Sequence, residues 1–334
     1  MRGRLENKIK TESHIQDKIE NMPEYIQRFY YSMNNKSHTT KLRYVTNVIR
    51  FLNHIFNNEI PTIEKLKNID SYAVQVYMSE IGLFETNGDY HELKESSQCV
   101  IYSSLCAFFE YLVRERYISS NPFADGRIER PRIKENPVTF LTPEEVRRVE
   151  KQILNGVGNS RSVGKQKDWK YRDLLLFRIP VVNGLRVTAL SEINIDDIDF
   201  ANKKIVVTEK GNITKSVSFD DKTDMYLKIW LKQRLQLLNC DTNEKALFIS
   251  NRRTRMTVRS IENVVEKYTQ CIEGKHITPH KLRSTCGTNV YQQTKDIYLV
   301  SKILGHKNTS PTRRYAAVFD EDITETINNV ANMY

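Results

Sequence analysis

The C-terminal half of this chain carries two arginines, a lysine, two histidines and a late tyrosine, the residue types needed to hold one phosphodiester and break it. They are Arg186 in Asn183-Gly184-Leu185-Arg186, Lys210 in Lys210-Gly211-Asn212, His280 and Arg283 in His280-Lys281-Leu282-Arg283, His306 after Leu304-Gly305, and Tyr315, nine residues beyond His306. Metal-free phosphodiester cleavage needs an activated nucleophile, cations on the non-bridging oxygens as charge develops, and an acid for the leaving oxygen. Tyr315 offers the nucleophilic oxygen, and its attack would leave a phosphotyrosine. Arg186 and Arg283 suit the clamp because a guanidinium fork grips phosphate oxygens bidentately. His280 and Arg283, three residues apart, fall on one helix face and can address one phosphate. Lys210 can surrender a proton where an arginine cannot, which makes it the candidate general acid. His306 can donate to a phosphate oxygen. Singly, each has an ordinary reading: a hairpin lysine is commonly a solvated turn residue, and one of 17 tyrosines is commonly a packing residue. The order and spacing of all six carry the signal.

The elements that must position these residues can be read from periodicity. Residues 1–22 are charged and aperiodic, which predicts a mobile or weakly helical, flexible leader with order beginning after Pro23. Between Thr39 and Phe56, Leu42, Val45, Ile49, Leu52 and Phe56 step by three and four and define one helix face. The opposite face presents Lys41, Arg43 and Arg50, candidates for contact with DNA backbone as well as for plain solvation. A helix is expected around Ser71 to Ile81, and another carries Ile101, Leu105, Phe108 and Leu112 behind a Ser96-Ser97 cap. Residues 23–123 therefore read as a small all-helical DNA-binding domain, and 124–137, rich in Arg, Glu and Pro, as a linker.

Residues 138–334 read as the catalytic domain. Thr142-Pro143-Glu144-Glu145 opens it with a capping box, and 155–168 read as a polar loop whose Gly164-Lys165-Gln166 fails the spacing of a phosphate-binding loop. Short β-branched runs at 197–200, 204–208 and 216–219 predict a three-stranded antiparallel sheet with Lys210 at the turn between its second and third strands. Helices follow from Asp224 and Thr257, and Ile323, Ile327, Val330 and Ala331 predict a tail helix from about 319. The fold class is mainly α with a small antiparallel sheet.

The net charge of +10 suits a polyanionic partner. Its distribution is more informative: residues 1–136 hold 19 basic against 18 acidic side chains, and 137–334 hold 32 against 23. The C-terminal part is the stronger candidate for phosphate contact. Five cysteines, odd in number and without a C-x-x-C pair, indicate neither a disulfide framework nor a zinc site. With no secretory leader and no run of about 18 apolar residues, the expected location is the cytoplasm, away from membranes.

With these motifs in that order, the chain resembles the tyrosine recombinase, or phage integrase, family over roughly residues 23–330. The matching text is Gly184-Leu185-Arg186, Lys210-Gly211-Asn212, His280-Lys281-Leu282-Arg283, Leu304-Gly305-His306 and Tyr315, with Asn121-Pro122 resembling the end of the family's helical core-binding domain. The resemblance implies a two-domain, Xer-like layout and a site-specific recombinase using double-stranded DNA, a 3′-phosphotyrosyl ester and a Holliday junction, with neither metal nor ATP. It also implies a homotetramer on paired sites whose C-terminal tail docks in trans. Two residues depart from the pattern. The family usually has an acid three residues after its first arginine, where this chain has Ala189, with Glu192 as the candidate substitute; and Ser284 stands where histidine is frequent. A DNA-binding protein of the same fold with decayed catalysis and a type IB topoisomerase are the alternatives.

Overall fold

The computed structural model describes residues 13, 16–86, 89–133, 137–209, 213–241, 243–305, 309, 312–316 and 331–332. The chain divides into two compact units, Met1–Glu135 and Asn136–Tyr334. Lys210, His306 and the tail helix expected from about 319, apart from residues 331–332, lie outside the described residues. No helix among the described residues is long and apolar enough to cross a membrane.

Order in the first unit begins before Pro23. Residues 16–20 are helical and Ile19 is fully buried, so the end of the expected leader belongs to the core. Helix α1 spans Glu24–Ser32 and α2 spans His38–Ile55. The Ser37 hydroxyl accepts from the Thr40 N–H, satisfying a first-turn donor that the helix itself leaves open. Short α3 (Ile63–Leu66), α4 (Ser71–Glu80) and long α5 (Glu95–Arg114) complete the helices. Lys94, not the Ser96-Ser97 pair, precedes α5. The interior is aromatic: Phe29 meets Phe108 edge-on at 5.2 Å, and Phe51 meets Phe109 at 5.9 Å and Tyr77 at 5.0 Å. Asn47 of α2 donates to the Ser104 hydroxyl of α5 at 3.0 Å, a polar pin through an otherwise apolar contact.

Two further features differ from the sequence expectation. Strands β1 (Leu83–Thr86) and β2 (Asp89–Glu92) pair antiparallel, so the unit is not wholly helical. Asn87-Gly88 between them is a strong hairpin signal in sequence. Much of the expected linker is docked on this unit: Ile128 is buried in its core, the Ile128 carbonyl accepts from the Tyr102 hydroxyl at 3.3 Å, and the Pro131 carbonyl lies 2.9 Å from the Cys99 thiol.

The second unit opens as expected. The Thr142 hydroxyl accepts from the Glu145 N–H while the Glu145 carboxylate accepts from the Thr142 N–H, starting α6 (Pro143–Asn155). The region expected as a loop holds α7 (Ser160–Gln166), capped by Asn159 and tied by Gln166 to both backbone groups of Val157. Helix α8 (Lys170–Asn183) runs through the interior; Leu174, Leu175, Leu176, Phe177 and Ile179 are all buried, which requires cover on every side. Around it lie α9 (Val187–Glu192), α10 (Asp221–Leu237), α11 (Val258–Thr269), α12 (Pro279–Thr294), α13 (Ile297–Leu304) and the short α14 (Arg313–Ala316).

The sheet has the order β3 (Ile198–Asp199), β4 (Lys204–Glu209), β5 (Ile213–Ser218), antiparallel throughout. On β4, Ile205, Val207 and Glu209 point inward while Lys204 and Val206 are exposed. Strand alternation thus delivers a carboxylate to the buried face at the end of β4. Val207 pairs with Lys215 of β5, which puts Lys215 on that same face, diagonal to Glu209.

Candidate active site

Gly184 ends α8 in the left-handed region at φ +62, a conformation glycine adopts without strain. A Cβ there would stand 2.4 Å from a Leu304 methyl and 3.3 Å from the Cys286 sulfur, so nothing larger fits beneath α12 and α13. This tight corner turns the chain so that Arg186 sits at the N-cap of α9, where it pairs with the Glu209 carboxylate on β4.

Arg283 approaches the same carboxylate from α12. Its side chain is 2% exposed. One Nη donates to the Gly184 carbonyl and the other to the Leu304 carbonyl, and the first lies 4.0 Å from Glu209 Oε1. Lys215 completes the group: its Nζ is 2.9 Å from Glu209 Oε1 and donates to the Ile303 carbonyl at 3.2 Å. Burial, then the neighbouring Arg186 charge, lower the Arg283 pKa to about 10, with Glu209 and Tyr315 acting in the opposite direction. Arg283 is still protonated at neutral pH.

Tyr315 on α14 is completely buried, packed with Cys286, Val300 and Leu304. Gly287 makes room for it, since a Cβ there would come within 3.0 Å of the phenol ring. Arg314 lies across the ring face, donates to the Tyr315 hydroxyl at 3.1 Å and approaches His280 Nε2 at 3.5 Å. Partial burial, followed by the Arg314, Arg283, Lys281 and Arg186 charges, depresses the His280 pKa below the ordinary imidazole value and so favours the neutral ring. Ser284 turns back on its own helix and donates to the His280 carbonyl at 3.2 Å.

Of the six residues expected from sequence, the structure brings Arg186, His280, Arg283 and Tyr315 into one neighbourhood. Lys210 directly follows Glu209, and His306 directly follows Gly305, where a Cβ would stand 3.1 Å from Glu209 Oε2. Sequence reasoning missed Glu209, Lys215 and Arg314. Strand alternation through Ile205 and Val207 was the available signal for Glu209. The carboxylate paired with Arg186 is Glu209, and Glu192 acts electrostatically on Arg255.

Among the expected DNA contacts, Lys41 is corrected. It is 8% exposed, its ammonium lying over the Tyr30 ring at 5.2 Å, because the buried face of α2 is rotated toward Val45, Val48 and Leu52. The aliphatic stem allows such burial with the charge settled on an aromatic face. Arg43 and Arg50 remain exposed and line a concavity with Thr39, Thr46, Leu93 and Ser97.

The sequence model of the phage integrase family matches residues 139–322. The chain belongs to the phage integrase family. Its relatives are named tyrosine recombinases: XerC of Caldanaerobacter subterraneus subsp. tengcongensis is 30% identical over 274 residues, covering 80% of this chain and 70% of that protein. XerS of Streptococcus agalactiae serotype III is 27% identical over 341 residues, covering 92% and 95%. In fold, the chain is similar to the XerH recombinase bound to its difH substrate after cleavage (TM-score 0.64, 21% identity, 87% of this chain and 78% of that one). It is also similar to a lambda integrase dimer on a core site (TM-score 0.63, 17% identity, covering 87% and 93%). This phage integrase family member is a tyrosine site-specific recombinase, an enzyme of DNA recombination, and neither the decayed nor the topoisomerase alternative is favoured.

Proposed function

We propose that this recombinase holds one DNA phosphate between Arg186, Arg283 and His280 and cleaves it with Tyr315. The observation that carries this reading is the meeting of Arg186 and Arg283 at one buried carboxylate, in the neighbourhood where Arg314 links the Tyr315 hydroxyl to His280. Two fixed guanidinia satisfy the non-bridging oxygens and stabilise the charge that grows as the phosphorane forms. The Tyr315 oxygen gives its proton to solvent water and bonds to phosphorus. The bond from phosphorus to the 5′-oxygen breaks, and Lys210 protonates that oxygen, with His306 donating to a non-bridging oxygen. The product is a 3′-phosphotyrosyl ester, which a second 5′-hydroxyl reverses on the partner strand without loss of bond energy, through a Holliday junction. Tyr315 begins fully buried, so DNA engagement has to bring its hydroxyl out to the phosphate.

Arg43 and Arg50 add sequence-independent phosphate contacts to double-stranded DNA. The assembly on paired sites is a homotetramer with the C-terminal tail docked in trans; a lambda integrase tetramer bound to a Holliday junction, similar in fold, supports the tetramer by analogy. Tyr315→Phe tests the chemistry and the assembly together. It should bind DNA as the wild type does, give no covalent adduct, and sediment on paired sites with the mass of four chains. Adduct formation at the wild-type rate would reject the nucleophile, and a dimer as the largest species would reject the tetramer.

A further inference from the structure

We infer that Glu209 is the positioning carboxylate of this active site, holding Arg186 in place against the charges of Arg283 and Lys215. The inference rests on the reading of Arg186 and Arg283 as phosphate ligands.

Four observations carry it. Glu209 is 7% exposed, and three cations converge on it from separate elements: Arg186 from the cap of α9, Arg283 from α12 and Lys215 from β5. Its Oε1 accepts no aligned hydrogen bond among the described residues, although the Lys215 ammonium is 2.9 Å away, so the attraction there is Coulombic and undirected. It is the residue before Lys210, and Gly305, the residue before His306, packs against its Oε2. Position 189, one turn into α9, holds a buried alanine and supplies no charge.

The physical case is one of repulsion relieved. Two guanidinia and an ammonium brought together in a poorly hydrated pocket repel one another strongly, and a single anion among them turns that repulsion into a defined geometry. Arg283 is locked independently by two backbone carbonyls. Arg186 is 34% exposed and pairs with Glu209, so it is the group free to swing toward solvent when that charge is removed. The residual positive charge of the cluster still favours a phosphate. Removing the anion therefore leaves DNA attraction intact and spoils placement of the clamp. A misplacement of order 1 Å costs about 100-fold in rate.

Glu209→Gln keeps the shape and removes the charge; Glu209→Asp keeps the charge and shortens the arm. The substrate is a nicked duplex bearing the site recovered from covalent adducts of the wild-type protein. Glu209→Gln should form adduct about 100-fold more slowly than wild type, with DNA affinity changed no more than a few-fold and a melting temperature that is lowered but leaves the protein folded at the assay temperature, and Glu209→Asp should fall between the two. Adduct formation by Glu209→Gln at the wild-type rate would overturn the assignment. So would a parallel loss of folding, binding and cleavage that Asp does not relieve, since Glu209 would then be a structural ion-pair partner only. Absence of adduct from the wild-type protein would count against the proposed chemistry instead, which keeps the two failures distinct.

Discussion

In the first unit the interior is a run of aromatic rings, Phe29, Phe51, Phe108 and Phe109, and its polar exceptions are the Asn47–Ser104 pair and Lys41 on Tyr30. The second unit buries ions. Arg172 pairs with Asp173, which also accepts from the Tyr268 hydroxyl; Glu150 takes Arg178 and Lys222; Glu209 takes its three cations. An apolar interior carries no ionic desolvation cost and tolerates imprecise contacts, whereas each buried ion costs several kcal/mol unless its partners are in place. That cost is sensible where guanidinia must stand ready for an anion before it arrives. The first unit keeps Arg43 and Arg50 exposed, where on the proposed reading they would add attraction without geometry.

The sharpest division between chemistry and attraction should come from Lys210→Ala. Loss of a general acid lowers the cleavage rate by about 10²- to 10⁴-fold, with binding unchanged. A substrate whose bridging 5′-oxygen is replaced by sulfur should restore most of the rate, because a thiolate leaves without a proton. An equal defect on both substrates would make Lys210 a phosphate ligand.

Next in size are paired stability changes. Phe108→Ala in the first unit should cost about 3–5 kcal/mol through the cavity it leaves, and Arg172→Met in the second about 3–5 kcal/mol by stranding the Asp173 charge. The chain's two tryptophans, Trp169 and Trp230, both lie in the second unit. Tryptophan fluorescence during urea unfolding should therefore shift with Arg172→Met and hold still with Phe108→Ala, while circular dichroism sees both. Adding Asp173→Asn should recover part of the Arg172→Met loss. Fluorescence that moves equally for both variants would show the two interiors to unfold as one.

Acid gives a milder contrast. Burial raises the Glu145 carboxyl, but hydrogen bonds from Lys275 and the Thr142 N–H outweigh it and hold the pKa below normal. Burial of Asp220 is likewise outweighed by Thr223 and Arg178. Carboxyls lowered by folding stabilise the protein above their unfolded pKa of about 4 and lose that contribution as pH falls toward the folded value. The fluorescence midpoint should thus fall faster below about pH 4 than that of a Glu145→Gln, Asp220→Asn variant. The same acid sensitivity in both proteins would assign it elsewhere.

Smallest are Arg43→Ala and Arg50→Ala. Each should lower the magnitude of the salt slope of DNA binding by about 1 and weaken affinity uniformly across sequences, leaving the cleavage rate of bound DNA unchanged. A change in that rate would bring these residues into the chemistry.

Local features were legible before the fold was known. The Thr142 capping box, the Ile101 to Leu112 stripe and the three strands are properties of neighbours along the chain, and each is decided by spacing and residue type. The features decided by tertiary structure are those in which distant segments compete for one surface. Lys41 lies on the nominally polar side of α2, yet Tyr30 of the preceding helix covers it. Residues near Ile128 look like a linker because they are rich in charge, but α5 offers Tyr102 and Cys99 to their carbonyls. Glu209 shows the reason most plainly. Alternation along β4 can turn it inward, but only the meeting of α9, α12 and β5 supplies the three cations that make a buried carboxylate stable there.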